Sequence, residues 1–261
     1  MKTFQHKTAL ITGASAGIGE SFARQLAAAG CNLVLVARRE ERLQALKQEL
    51  EQQYPISVEV LTQDLSVPGS AQQLFQRTQA LPRPVDLLIN NAGFARHGNF
   101  TDVALDVHSR MIALMVTTLT ELTWLYANDM KQRGGGHILL VSSLLGFLPG
   151  PGFASYAGSK AFVLNFAESL AQELKPHNIR ISALCPGGTA TEFMDVAGQS
   201  IRGMRELAIM SSTSVARAGL QGVIRGKASV VPGLLYKVSV FGIRFIPRQL
   251  QAIFGAMATR S

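Results

Sequence analysis

The chain has little cysteine: among its 261 residues, only Cys31 and Cys185 carry a thiol. Both stand in apolar segments that predict buried strands, and neither has other metal-ligating residues around it at the spacing of a metal site. This pattern argues against a disulfide framework and against a cysteine-bound metal. We therefore expect both thiols to be reduced core residues, and we expect no metal in the protein.

Long apolar runs are also missing. Every apolar tract is interrupted by Pro, Lys or Arg before it reaches the roughly 18 to 20 residues needed to span a bilayer. Residues 1–7 lead directly into the first predicted strand, with no apolar stretch that would mark a secretory signal. These absences predict a protein that is not exported and that resides in the cytoplasm.

Acidic residues are outnumbered, with 17 Asp and Glu against 25 Lys and Arg, which gives a formal charge of +8 and an isoelectric point of about 9.9. A basic protein suits an anionic ligand such as a dinucleotide, but it also suits nucleic acid or an acidic membrane surface. No Lys/Arg-rich run and no alternation of aromatic with basic residues singles out nucleic acid. A nucleic-acid partner is therefore not expected.

What the sequence does contain is a regular alternation of strand and helix patterns. Apolar runs predict strands at 8–12, 31–37, 57–62, 85–90, 137–143 and 179–185. Helical patterns lie between them, at 17–29, 40–53, 70–80, 102–132 and through residue 156 to about 174. This alternation predicts an α/β fold with a doubly wound parallel sheet and helices on both faces. With 47% hydrophobic residues, the chain fits a single domain over 1–261.

The segment from Ser143 to Lys160 holds the side chains best suited to acid–base chemistry. Tyr156 and Lys160 form an i,i+4 pair, so in a helix the ammonium lies close to the phenol. A nearby cation lowers the pKa of a tyrosine from its usual ~10, which makes Tyr156 a candidate general acid and base. Ser143 stands thirteen residues earlier, where a predicted strand delivers its hydroxyl to the carboxyl edge of the sheet.

Three further motifs surround this segment. Residues 12–19 read TGASAGIG, residues 90–93 read NNAG, and Pro186-Gly187 follows the sixth predicted strand. With Ser143 and the YxxxK pair, in this order and spacing, they resemble the short-chain dehydrogenase/reductase family over about the first 190 residues. The resemblance implies a Rossmann-type fold and an oxidoreductase that transfers hydride between a nicotinamide dinucleotide and a carbonyl or alcohol.

The resemblance also implies roles for individual residues. In the reductive direction Tyr156 would give a proton to the substrate oxygen and Ser143 would hydrogen-bond that oxygen, while Lys160 would lower the pKa of the phenol and bind the nicotinamide ribose. The cofactor would contact the glycine loop, the ends of the next strands and the Pro-Gly segment, with Thr189 and Thr191 as alternatives at the carboxamide. These residues are Gly13, Ser15, Ala16, Gly17, Ile18, Gly19, Asp64, Leu65, Asn91, Ala92, Gly93, Tyr156, Lys160, Pro186, Gly187, Thr189 and Thr191.

Two arginines stand where the choice between nicotinamide cofactors is made. An NAD site usually has an acidic residue about 20 residues after the glycine loop, whereas a basic residue there accommodates the 2′-phosphate of NADP. Arg38 and Arg39 occupy that place, and the next acidic residues, Glu40 and Glu41, fall within the following helix. This favours NADP(H), with Arg38 as the main phosphate partner and Arg39 as the second. The alternative is that both arginines are simply solvated at a helix start.

One polar member of the family pattern is replaced. The family usually has an asparagine in the long helix after the fourth strand, where it helps to hold a water linked to the lysine, and Met115 stands at that place. A thioether does not replace an amide in a hydrogen-bond relay. Either backbone carbonyls hold the water and activity survives, or the relay is impaired. The second case leads to the alternative function, a dinucleotide-binding regulatory or scaffold protein with weakened catalysis.

The last third of the chain carries weaker signals. By resemblance, residues 192–212 form a lid over the substrate. Apolar side chains near the site favour a hydrophobic aldehyde or ketone, although they also fit ordinary loop packing: Phe147, Leu148, Phe153, Phe193 and Met194. The basic, apolar tail at 234–261 predicts helices that lie weakly on an anionic membrane surface or pack against the sheet or a partner subunit. We also expect a homo-oligomer, a dimer or a tetramer.

Overall fold

The computed structural model of the protein describes residues 2–192 and 209–259. Its centre is a seven-stranded parallel sheet. The strands of this sheet are β1 (Thr8–Thr12), β2 (Asn32–Ala37), β3 (Val58–Thr62), β4 (Leu87–Asn90), β5 (Gly136–Val141), β6 (Ile179–Leu184) and β9 (Ser229–Val230), and a separate pair is formed by β7 (Thr189–Ala190) and β8 (Met210–Ser211). The order in the sheet is β3-β2-β1-β4-β5-β6-β9, so the chain winds from β1 to one edge and then to the other. The predicted doubly wound parallel sheet is confirmed.

Helices cover both faces of this sheet. They are α1 (Gly17–Ala27), α2 (Glu40–Gln53), α3 (Ser70–Gln79), α4 (Leu105–Ile112), α5 (Leu119–Gln132), α6 (Ala154–Glu173), α7 (Ser212–Ile224), α8 (Leu234–Ile243) and α9 (Arg248–Thr259). Ile11 packs in the core beneath α1, α2 and α7, whereas its neighbour Leu10 packs beneath α3, α5 and α6. Leu33 and Val34 divide between the same two cores. Because the central strands are buried on both faces, they must be continuously apolar, which is why they could be predicted.

Most of the predicted bounds differ from the structure by one or two residues, and two differences affect the region of the predicted site. β5 ends at Val141 rather than at residue 143, and Ser143 begins a short 3-10 turn over Leu144–Gly146. The helix predicted over 102–132 consists of α4, a π-helical segment at Ala113–Thr118, and α5. The π-helical segment covers only six residues, too few to be recognised from apolar periodicity, and such segments are frequent at functional sites.

Both cysteines are buried and free, as predicted, although each lies one residue outside its strand. Burial raises the pKa of the Cys31 thiol and of the Cys185 thiol to about 12. At neutral pH both therefore remain thiols, the form that is a poor nucleophile and a poor metal ligand. They act as small apolar side chains of the core.

The C-terminal part completes the sheet and lies against it. β9 pairs with the end of β6 through only two residues, and a strand this short cannot be recognised from apolar periodicity in the sequence. On one face of the sheet, α7 packs beside α1. Gly222 of α7 faces the side chain of Val230 in β9 so closely that a Cβ would collide with it. In residues 2–192 and 209–259, no helix is long and apolar enough to cross a membrane.

The contact at Gly222 gives a stability prediction. Gly222→Ala forces a methyl group against the Val230 side chain, and overpacking of this kind costs about 1–3 kcal/mol in the free energy of unfolding. The matched change is Gly158→Ala in α6, where a Cβ meets no atom of the described residues within 4 Å. Because alanine is the better helix former, Gly158→Ala is expected to raise the free energy of unfolding by about 0.5–1 kcal/mol. Urea unfolding of both variants measures this, and equal shifts in the same direction would contradict the proposed packing.

Candidate active site

The glycine loop turns sharply between β1 and α1. Gly13 and Gly17 have φ angles of +67° and +61°, which favour glycine. A Cβ on Gly13 would lie 2.9 Å from the Cα of Ala92, and a Cβ on Gly19 would collide with the carbonyl oxygen of Gly13. None of the described side chains caps the first turn of α1, so its N–H groups face the region above the loop. Such a helix start is suited to bind a pyrophosphate.

Thr12 joins the glycine loop to the turn after β4. Its hydroxyl oxygen accepts hydrogen bonds from the backbone N–H groups of Asn91 and Ala92, both at 2.9 Å, and donates to the carbonyl oxygen of Ile89 at 3.3 Å. In return, the side-chain amide of Asn91 donates to the carbonyl oxygens of Thr12, at 2.9 Å, and Gly13, at 3.2 Å. No pattern in the sequence predicts this role of Thr12, because its partners are almost 80 residues away along the chain.

A cavity of about 820 Å³ opens at the carboxyl ends of the strands. All of the predicted cofactor residues except Gly19 line it, together with Ser143, Leu148 and Phe153. Gly19 lies behind the loop, and Phe147 is half-buried and packs against the core instead of lining the cavity. The predicted pocket residues Phe193 and Met194, and most of the predicted lid, fall outside the described residues. The glycine cradle, the uncapped helix start and the size of the cavity fit a nicotinamide dinucleotide.

Three polar side chains meet in the wall of this cavity. The hydroxyl of Ser143, just beyond β5, hydrogen-bonds Tyr156 and accepts from the N–H of Leu145 at 3.2 Å. Lys160 follows Tyr156 by one turn of α6, and its Nζ lies 5.5 Å from the centre of the tyrosine ring. The ammonium group donates to the carbonyl oxygen of Val141 at 2.7 Å.

Burial decides the protonation of this group. It raises the pKa of Tyr156 to about 12, although the hydrogen bond from Ser143 acts in the opposite direction. Burial also lowers the pKa of Lys160 to about 8, because a buried ammonium loses its hydration. The predicted net lowering of the pKa of Tyr156 is therefore not found, because burial outweighs the interactions that favour the phenolate. At neutral pH Tyr156 holds its proton, which is the form that can donate it.

Met115 lies next to this polar group. It sits in the π-helical segment, it is fully buried, and it packs in an apolar cluster that includes Phe153 and the ring of Tyr156. A Cβ on Gly93 would lie 3.2 Å from the sulfur of Met115 and 3.6 Å from Nζ of Lys160. The thioether and the ammonium group therefore both border the space beside Gly93, where the thioether offers no strong hydrogen bond.

Charged residues cluster at the end of the cavity formed by β2 and β3. Arg38 is exposed and lies 4.0 Å from the carboxylate of Asp64, which also binds Arg110 at 3.3 Å. Burial opposes ionisation of Asp64, but hydrogen bonds from Ser66 and the two arginine charges lower its pKa below the usual value. The carboxylate is therefore ionised at neutral pH and holds Arg38 at the edge of the cavity.

Arg39 points to a different acidic partner. Its guanidinium donates to the hydroxyl of Ser15 at 3.1 Å and to the carboxylate of Glu192 at 2.9 Å, and Arg42 binds the same carboxylate at 2.7 Å. The guanidinium groups of Arg39 and Arg42 lower the pKa of Glu192. No pattern in the sequence predicts the contacts of Arg42 and Glu192, because Glu192 is about 150 residues away from its two partners along the chain.

At the opposite end, α8 closes over the Pro-Gly segment. The ring of Tyr236 lies so close to Gly187 that a Cβ would collide with it, and its hydroxyl accepts from the N–H of Gly188 at 3.0 Å. Thr189 donates to the carbonyl oxygen of Gly187 at 3.0 Å, while Thr191 packs over Gly17 of the glycine loop. Both threonines line the cavity, so both remain candidates for the nicotinamide end.

This geometry agrees with comparisons to known proteins. Residues 7–201 match the short chain dehydrogenase family. The chain belongs to that family. Like other short-chain dehydrogenases, it is an NAD(P)-dependent oxidoreductase that acts on alcohol or carbonyl groups.

Individual relatives cover most of this short-chain dehydrogenase. The dehydrogenase/reductase SDR family protein 7-like of Drosophila melanogaster is 33% identical over 236 residues, covering 86% of this chain and 72% of the relative. A short-chain dehydrogenase from Sphingobium yanoikuyae, solved in complex with NADPH, is 35% identical with a TM-score of 0.82, covering 94% of this chain and 98% of its own. The bulky-bulky ketone specific alcohol dehydrogenase from Comamonas testosteroni is 29% identical with a TM-score of 0.77, and the coverage is 93% and 95%.

Removing the hydroxyl of Thr12 is predicted to weaken both the stability of the protein and its binding of NADPH. Thr12→Val keeps the shape of the side chain but removes the acceptor of the Ala92 N–H and leaves the Asn91 N–H with only the carbonyl oxygen of Ile89, which costs about 1–3 kcal/mol in the free energy of unfolding. Because the two turns then separate, we expect a higher Kd for NADPH in a fluorescence titration. Thr12→Ser retains the hydroxyl and is expected to restore both values. Equal damage in the serine variant would show that the methyl group, not the hydroxyl, holds the turns together.

Proposed function

We propose that this short-chain dehydrogenase is an NADP(H)-dependent oxidoreductase of hydrophobic aldehydes, ketones or the corresponding alcohols. In this proposal Ser143, Tyr156 and Lys160 are the catalytic residues. The observation that carries it is the meeting of these three side chains in the cavity wall, with Tyr156 protonated and hydrogen-bonded to Ser143. The remaining lining residues would bind the dinucleotide and the substrate.

Each of the three side chains has a distinct task in carbonyl reduction. The nicotinamide, when bound, supplies the hydride. Tyr156 gives its phenolic proton to the substrate oxygen, and the hydroxyl of Ser143 stabilises the negative charge that develops there. Lys160 lies one turn away, and its ammonium group donates to the carbonyl oxygen of Val141. Its positive charge stabilises the phenolate that remains after Tyr156 has given up its proton. In alcohol oxidation the same groups act in reverse.

The preference for NADP(H) rests on the charges at the β2 end of the cavity. Arg38 is exposed at its edge, while Arg39 and Ser15 lie together beside it. A 2′-phosphate is a dianion and gains from guanidinium groups and a hydroxyl in such a place. The relative solved with NADPH, at 35% identity, supports the same choice.

The preference for a hydrophobic substrate rests on the other end of the cavity. There the lining is largely apolar, with Leu148, Phe153, Val240, Ile243 and Ile246. An apolar pocket with a few polar groups selects substrates by buried apolar area. The similar alcohol dehydrogenase from Comamonas testosteroni is described as specific for bulky-bulky ketones, which supports this class of substrate.

Met115 favours a second candidate function. Where the family has an amide that holds a water, this chain has a buried thioether close to Lys160. A protein with an impaired proton relay would bind the dinucleotide with little turnover, as a regulatory or scaffold protein does. We favour the oxidoreductase, because the three groups nearest the reacting oxygen are all present.

The predicted homo-oligomer and cytoplasmic location remain predictions from the sequence.

The phenol of Tyr156 gives the first test. Tyr156→Phe removes the proton donor, and we expect kcat for NADPH-dependent reduction of hydrophobic aldehydes and ketones to fall by about 10²–10⁴. The Kd for NADPH is expected to change little, because the ring remains in place. Tyr54→Phe, at the end of α2 and outside the cavity, is the matched control. Full turnover in Tyr156→Phe would contradict the catalytic assignment, whereas tight NADPH binding by the native protein without any reduction would favour the second candidate.

The charge of Arg38 gives the second test. Arg38→Ala removes a cation next to the predicted 2′-phosphate, and hydrogen bonds to charged groups contribute about 1.5–3 kcal/mol, so the Kd for NADPH is expected to rise about tenfold or more. The Kd for NADH, which lacks the phosphate, is the internal control and is expected to stay the same. A native protein that binds NADH as tightly as NADPH, or a variant that loses both equally, would contradict the NADP(H) preference.

A further inference from the structure

α8 is apolar on both of its faces. Its inner face contributes Val240 and Ile243 to the cavity wall. On its outer face lies a stripe at helical spacing, in which Leu234 is 77% exposed and Val238 is 62% exposed, and Phe245, just beyond the helix, is 74% exposed. A surface helix normally has one apolar face, which packs on the core. The outer stripe is therefore unexplained by the fold of the described residues.

α9 extends this exposed surface. The side-chain amide of Gln251 donates to the carbonyl oxygens of Ile243, at 3.2 Å, and Ile246, at 2.9 Å, which ties α9 to the end of α8. Leu250 and Ile253 of α9 are also exposed. We call the exposed apolar residues of this region the tail surface: Leu234, Leu235, Val238, Phe241, Phe245, Leu250 and Ile253. An apolar surface of this kind commonly marks a binding site for a protein or a membrane.

The charge of the region is of one sign. Beyond Glu206 the sequence contains no acidic residue, although it contains seven basic ones: Arg217, Arg225, Lys227, Lys237, Arg244, Arg248 and Arg260. Lys237 and Arg244 are exposed on or next to α8, and Arg248 is exposed at the start of α9. The tail surface therefore combines bulky apolar side chains with uncompensated positive charge in the local sequence.

This charge decides between two possible occupants. In a two-fold dimer the same surface patch is used by both copies, so two patches of the same positive charge would be brought together. An anionic bilayer instead attracts Lys and Arg through its headgroups and accepts Leu, Val and Phe among its acyl chains. α8 is only ten residues long, about 15 Å at 1.5 Å per residue, so it lies in the interface rather than spanning a bilayer of ~30 Å.

We propose that the tail surface docks on an anionic lipid bilayer. Docking would place α8 between the bilayer and the cavity, because the inner face of α8 lines the cavity and its outer face would contact the bilayer. The inference does not depend on the reaction, since it rests on the outer faces of α8 and α9 and on their charge. A failure of docking would therefore leave the proposed function untouched.

Vesicle co-sedimentation of the full chain tests the proposal. The native protein is expected to pellet with phosphatidylcholine vesicles that contain phosphatidylserine and to stay in the supernatant with phosphatidylcholine alone. Leu235→Gln with Phe241→Gln is expected to reduce the bound fraction by about tenfold or more. Lys237→Glu with Arg244→Glu is expected to produce a similar loss by reversing the charge, and gives an independent measurement.

Matched variants outside the tail keep the result specific. Trp124 is 66% exposed on α5, and Arg83 is exposed in the loop before β4, so Trp124→Gln and Arg83→Glu are expected to pellet like the native protein. Three outcomes would overturn the proposal: no pelleting of the native protein, equal pelleting without anionic lipid, or loss in the control variants as well. A native dimer that the Leu235 and Phe241 changes dissociate, without vesicle binding, would assign the surface to a second copy instead.

Discussion

The site depends on the close approach of two backbone turns that are far apart in sequence. Gly13 and Gly19 leave no side chain between the first loop and residues 91–92, and the hydroxyl of Thr12 binds both turns at once. Strand order makes this possible, since β1 and β4 are neighbours although three helices separate them along the chain. The floor of the dinucleotide cavity is thus a product of sheet topology, and the glycines are the condition for closing it.

Burial, rather than pairing, sets the electrostatics of the proposed catalytic group. The same removal of water that raises the pKa of Tyr156 lowers that of Lys160, so each group is pushed towards its neutral form. The buried thioether of Met115 and the ring of Phe153 strengthen this effect by keeping the surroundings apolar. A neutral phenol is poised to give a proton in reduction, whereas oxidation requires a local charge that stabilises the phenolate.

The sequence predicts most of the sheet because each central strand is a continuous apolar run, and the first strand and α2 have the predicted bounds. Nearly all of the cofactor residues that the family motifs predict also line one cavity. What could not be predicted depends on distant partners or on very short elements. β9 pairs through two residues, the π-helical segment around Met115 lies inside a continuous helix, and Glu192 meets Arg39 and Arg42 only through the fold.

The tail shows why periodicity alone could not decide its environment. An amphipathic pattern would have indicated one apolar face that packs on the core. α8 instead has two apolar faces, so its sequence is apolar nearly all round. Tyr236 and Val240 turn towards the cavity and the Pro-Gly segment, while Leu234 and Phe241 face outwards. Of the environments predicted for the tail, packing against the body of the protein accounts for the inner face. For the outer face and its excess of basic residues, the occupant that we propose is a bilayer surface, since it offers apolar volume and negative charge together.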